Sequence, residues 1–97
     1  MNDREYAQRG REAAQFLANP LWVEAWEAYR TRLLEIIEAT DSAQPEAMMQ
    51  AKRLLTAGKA ARAYLERLVI DGKIAAETIK MDEVRKAAER KWWQRQA

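Results

Sequence analysis

The stretch "ANPLWVEAWEAY", Ala18 to Tyr29, decides the reading of this chain. It opens with Asn19-Pro20, a preferred helix N-cap followed by a residue favoured at the first helical position. A helix is therefore expected from Pro20. Its large residues fall at Trp22, Trp26, Tyr29, Leu33 and Ile36, in steps of four, three, four and three. That alternation is a heptad seam. Leu34 and Ile37 widen the stripe. The aromatics could serve as a stacking platform for bases or as one side of a packing seam. Single-strand platforms interleave aromatics with cations, whereas Glu24 and Glu27 stand between these rings and would repel phosphate. The seam is the better reading.

Working outward, "ATDSAQPE" supplies turn chemistry at Asp41, Ser42 and Pro45. A second helix is expected to start there, capped by Ser42 or Gln44, with Glu46 near its positive end. Its seam reads Ala47, Ala51, Leu54, Gly58, Ala61, Leu65 and Leu68. Gly72 in "VIDGK" reads as a C-cap in the left-handed conformation. The helices 20–40 and 44–72 then form an antiparallel hairpin. A turn near residue 43 sets Tyr29 opposite Gly58, Trp26 opposite Ala61, and Leu33 opposite Leu54. Large residues against small ones let helices approach closely. The same register brings Glu24 to Arg62, Glu27 to Lys59, and Glu35 near Lys52 and Arg53. Exposed pairs of this kind are worth only a few tenths of a kcal/mol up to about 1 each, so they argue for register more than for stability.

The upstream segment 1–18 reads as a shorter helix with a weak apolar face at Tyr6, Ala13, Phe16 and Leu17, which Gly10 weakens. The downstream segment 73–97 is helix-compatible through Ile74, Ile79, Val84, Ala87, Ala88 and Trp92, with a hinge or second cap expected near Asp82. The fold expected is all-α: a single domain built on a long hairpin with flanking helices.

Composition narrows function. In 97 residues there are no cysteines and no histidines. Disulfides, thiol chemistry and imidazole or thiolate metal sites are excluded, and so is the usual general base near neutral pH. Acid pairs such as Glu24/Glu27 and Glu35/Glu38 match a solvated helix face. "LLTAGKAAR" lacks the glycine spacing of a phosphate loop. No catalytic, cofactor-binding or metal-binding residue is assigned, and an enzyme is not expected. The net charge of +2 is too mild to announce nucleic-acid binding by itself. No apolar run approaches a membrane span of about 20 residues, and the N-terminus lacks the apolar region of a secretory signal.

The cations are unevenly placed. Lys80, Arg85, Lys86, Arg90, Lys91 and Arg95 outnumber Asp82, Glu83 and Glu89 in the last part of the chain, and Trp92 and Trp93 sit among them. One reading is a solvated helix whose tryptophans fold back on the hairpin; Trp92 is expected to follow Val84 and Ala88 onto the hairpin or a neighbouring subunit, with Trp93 left available to a partner. The other is a tail that binds a partner or nucleic acid through Lys86, Arg90, Lys91, Trp92, Trp93 and Arg95. Separately, Leu34, Ile37, Met49, Leu55, Tyr64 and Val69 lie outside the seam and suggest self-association.

From Arg11 to Ala75 the order of elements resembles small helical proteins encoded among the head and DNA-packaging genes of tailed bacteriophages. The resemblance rests on "L-x-N-P-L-W-x-E-A" opening a helix, the "TDSAQPEA" turn, and "L-x-R-L-V-x-x-G-K-I-A" closing the next helix. The long hairpin is also similar to the oligomerisation segment of small terminase subunits. Met1 to Asn19 is too short for the helix-turn-helix those subunits carry. The resemblance implies a non-enzymatic assembly or packaging factor, acting as a homo-oligomer in the host cytoplasm, with a packaging or portal protein or DNA as partner. Two alternatives stand beside it: a nucleic-acid-binding module using the basic end, and a small adaptor or inhibitor of a host or viral enzyme.

Overall fold

The computed structural model describes residues 1–39 and 44–96. They form three helices, α1 (Asp3–Ala18), α2 (Pro20–Ala39) and α3 (Pro45–Gln96). The fold is all-α. Asn2 caps α1 by accepting from the Glu5 amide at 2.9 Å. Asn19 ends α1 in extended backbone and caps α2, its side chain accepting from the amides of Leu21 at 2.9 Å and Trp22 at 3.3 Å. One residue thus breaks the helix and restarts it, as the Asn-Pro pair dictates. Pro45 opens α3 with Glu46 in its first turn. The expected caps and turn at Asp41 and Ser42 lie outside the described residues.

Both α1 and α2 run antiparallel to α3, one after the other along its length. Gly10 meets Leu68 and Gly72, and Gly58 meets Trp26 and Tyr29. Leu33 packs with Ala51 and Leu55, with Ile36 and Ile37 against them. The molecule is a hairpin with one broken arm, 83 × 24 × 17 Å. Its long dimension is α3 itself, since 52 residues at 1.5 Å per residue span about 78 Å.

The α2 seam stands as expected. Trp26 and Leu33 are buried, and Trp22 and Ile36 are half-buried. The Tyr29 hydroxyl donates to the Leu54 carbonyl across the hairpin at 2.8 Å. The register through Tyr29 and Gly58 also holds. The α3 seam is shifted by one residue in places: Leu55, not Leu54, is buried with Leu33, and Arg62 rather than Ala61 lies over Trp26, its guanidinium carbon 5.7 Å from the ring. Residues buried or half-buried along α3 are Met48, Ala51, Leu55, Gly58, Leu65, Leu68, Val69, Asp71, Gly72, Ala75, Ile79 and Ala87. The expected ion pairs across the hairpin give way to pairs inside single helices: Glu27–Arg30, Arg32–Glu35 and Arg62–Glu66. Partners one turn away need no agreement between two helices.

Two further expectations are corrected. Gly72 is not a C-cap. It is buried in mid-helix, and no glycine among the described residues has positive φ. Its lack of a side chain serves close approach, because a Cβ there would lie 2.6 Å from the Gly10 Cα and 2.9 Å from the Tyr6 carbonyl oxygen. The reciprocal Cβ on Gly10 would meet the Gly72 Cα at 2.7 Å. With Ala7, Ala13 and Ala75 buried beside them, α1 and α3 touch nearly backbone to backbone. The hinge expected near Asp82 is also absent. Helix α3 continues through it, and Asp82 pairs with Arg85 at 3.5 Å. Residues 73–96 are therefore the continuation of the long helix, not a separate one.

Candidate interaction site

The seam of α3 changes character where α1 runs out. Up to Ile79 the residues at the centre of the seam, Leu68, Gly72, Ala75 and Ile79, are small or apolar and covered. Continuing the same spacing gives Glu83, Lys86 and Arg90. Such a face has no apolar surface to offer a covering helix, and none covers it. From Lys80 to Gln96 every residue is exposed except Ala87, which is half-buried. The last 17 residues of α3 are thus a free helical arm of roughly 25 Å.

Lys86, Arg90, Lys91, Trp92, Trp93 and Arg95 all stand on this arm. Helix geometry divides them: at 100° per residue Lys86, Arg90 and Trp93 fall on one side of α3, and Lys91, Trp92 and Arg95 on the other. Trp92 does not fold back on the hairpin. It is 53% exposed and Trp93 is 67% exposed. Adjacent positions on a helix point about 100° apart, yet the two rings reach each other edge to face with centroids 4.8 Å apart.

Helix α3 also carries an apolar stripe that starts before the arm and runs out along it, one the spacing of the hairpin seam conceals. Ile70, Ile74, Met81, Val84 and Trp92 are each at least 49% exposed. At 100° per residue they fall within about 80° of arc on one side of α3. Ala88 lies in the same arc, and Glu77 is the acid within it. The signal was the recurrence of four- and three-residue steps in the sequence, hidden because the hairpin seam claims a parallel set of positions on the same helix. Of the extra-seam residues named from sequence, Leu34, Met49 and Tyr64 are exposed. Leu55 is buried, and Ile37 and Val69 are half-buried.

The aromatic run that opened the question forms a ladder. Ring centroids are 4.8 Å apart for Phe16–Trp22, 6.1 Å for Trp22–Trp26 and 6.0 Å for Trp26–Tyr29. The ladder crosses the α1–α2 junction and is closed by Gly58, which touches both Trp26 and Tyr29. It is a packing seam. No helix among the described residues is long and apolar enough to cross a membrane. Comparison with protein families, curated proteins and solved structures finds no match to this chain.

Proposed function

We propose that this chain is a non-enzymatic assembly factor that works as an oligomer of helical hairpins, in the head or DNA-packaging apparatus that its phage resemblance suggests. One observation carries the self-association. The chain exposes 7952 Å², whereas a compact monomer of 11.3 kDa exposes about 5,700 Å². The excess of about 2,200 Å² exceeds the roughly 800 Å² per partner of a standard stable interface. The radius of gyration, 22.4 Å, compares with about 12–13 Å for a compact domain of this length. The only residues buried are Ala7, Gly10, Ala13, Trp26, Leu33, Ala51, Leu55, Gly72 and Ala75 among those described, four of them alanine and two glycine. A second copy against the Ile70–Trp92 stripe supplies what one hairpin lacks. Sedimentation at tens of micromolar tests this. A mass that is a multiple of the protomer is expected, reduced by Met81→Glu, whose site is exposed in the monomer and so tolerates a glutamate. A monomeric wild-type mass overturns the reading.

A second reading, nucleic-acid binding, is favoured by the position of Lys86, Arg90, Lys91 and Arg95 on the free arm beside two exposed tryptophans. Binding to duplex DNA that weakens steeply with salt would support it, because neutralised phosphates release counterions. The same oligomer with no DNA affinity favours the first reading. A packaging enzyme or portal as partner belongs to the first reading, and capture of a host enzyme would support an adaptor instead.

A further inference from the structure

At the waist of the hairpin lies a cleft of about 400 Å³ lined by Trp26, Arg30, Lys59, Arg62, Ala63 and Glu66. Arg30 comes from α2, and Lys59 and Arg62 come from α3. Three cations share this cleft with one acid, so its lining carries a surplus of positive charge. Glu66 is committed to Arg62 at 3.1 Å. Arg30 has Glu27 at a looser 3.9 Å. Lys59 has no ion-pair partner among the described residues. Trp26 is only 7% exposed, and its indole Nε1 has no hydrogen-bond partner among the described residues. An unpaired buried donor costs stability, and neighbouring like charges add a smaller cost. The cleft is rich in donors and short of an acceptor.

The geometry points to a carboxylate-binding cleft, one that receives an acidic side chain of a protein partner between Lys59 and the Arg30 and Arg62 guanidiniums. Guanidinium forks match the planar carboxylate, and charge-assisted bonds to it are roughly twice as strong as neutral ones. Arg62 is also held over the Trp26 ring, 5.7 Å from its centroid, which limits the freedom it would lose on binding. A polyanion fits less well. Glu66 lines the cleft and Glu27 pairs with Arg30, so a strand of phosphates extending past one contact would meet a carboxylate. A single carboxylate needs only the cations. This site is separate from the C-terminal arm and from the stripe proposed for self-association, and its test does not depend on either.

The readout is the Trp26 indole N–H cross-peak in a proton–nitrogen NMR spectrum of the whole chain, assigned by its loss in Trp26→Phe. At constant ionic strength set with chloride, the chain is titrated with a blocked glutamate-rich peptide, sodium acetate, inorganic phosphate and a short DNA duplex. The peptide is expected to move the peak saturably. Acetate is expected to move it in the same direction at higher concentration. Lys59→Gln and Arg62→Gln are each expected to weaken the peptide at least tenfold while the helical circular dichroism is kept. Lys59 is exposed, so its variant keeps the test interpretable should Arg62→Gln disturb packing. No saturable shift with peptide, or a shift matched by added chloride, overturns the proposal. Saturation by DNA or phosphate below the peptide concentration overturns carboxylate as the ligand class. Acetate saturating as early as peptide overturns a protein side chain as its source.

Discussion

Helix α3 is gripped twice by the same arm, in two unlike ways. Against α2 it offers a notch: Gly58 receives the edges of Trp26 and Tyr29, and the contact is made of large rings. Against α1 it offers almost nothing but backbone, with Gly10 set on Gly72. The spacing differs as well. Between these two contacts the broken arm runs from residue 10 to residue 29, while α3 runs only from 58 to 72. The Asn19-Pro20 break absorbs the difference, since a continuous helix would hold one register throughout. A ring-filled seam tolerates adjustment because rings can turn. A backbone seam cannot adjust, because what blocks it is main chain.

The largest effect is therefore expected at the backbone seam. Gly72→Leu should release α1, at the upper end of the ~1–3 kcal/mol typical of overpacking. Even Gly72→Ala should lose stability, although alanine is better in a helix by about 1 kcal/mol, because the Cβ would fall 2.6 Å from the Gly10 Cα. Amide exchange would show this as lost protection in α1 with α2 still protected. Equal protection in both helices would mean that the two contacts do not differ.

Next comes the ring seam. Gly58→Leu should lower the melting temperature through ~1–3 kcal/mol of overpacking, partly offset by leucine's helix propensity. Gly58→Ala should be milder than Gly72→Ala, because the atoms 2.9 Å from its Cβ are Trp26 Cζ3 and Tyr29 Cε1, ring edges that can yield. A Gly58→Leu chain melting at or above wild type would refute the register through Tyr29.

How much of this was legible follows from which information is local. The Asn19-Pro20 start, the Trp22–Ile36 seam and the Tyr29–Gly58 facing could be read because each rests on spacing or on one turn. Gly10 and Gly72 misled, since each looks like a defect or a stop when taken alone. Their meaning is that they face each other, 62 positions apart, and no local pattern carries that. Arg62 was passed over for Ala61 because a cation is a poor guess for a seam position. Trp26 makes it a good one by offering a ring face. Composition marks the basic segment, and of the two places expected for Trp92, the hairpin or a neighbouring subunit, the structure removes the hairpin. What decides its exposure is that α1 ends before reaching it and that Glu83, Lys86 and Arg90 occupy the face a covering helix would need.

Removal of Lys91 to Ala97 should barely touch the hairpin. The residues lost are exposed wherever described, and such changes usually stay within about 0.5 kcal/mol. Thermal melting should be nearly unchanged, while self-association weakens through loss of Trp92 and partner capture falls through loss of the basic end. Loss of the helical signal would make the arm part of the core. Undiminished capture of every partner would make it idle.

The smallest expected effect is a gain. In the α2–α3 seam Arg30, Lys59 and Arg62 share one cleft, and Lys59 is the member without a partner. Lys59→Glu would place a carboxylate between two guanidiniums and one turn from Arg62 and Ala63. It should raise stability by a few tenths of a kcal/mol, the scale of an exposed pair, with a higher denaturation midpoint and an unchanged denaturant slope. The gain should shrink with added salt, as screening removes repulsion and attraction alike. It should also abolish the peptide response of the Trp26 N–H, because the introduced carboxylate fills the place the ligand would take. Stability gained and binding lost in one substitution is the signature of a residue kept for function at a cost to the fold. A midpoint that stays or falls at low salt would show that the three cations do not repel one another, and the charge surplus would then be no argument for a ligand.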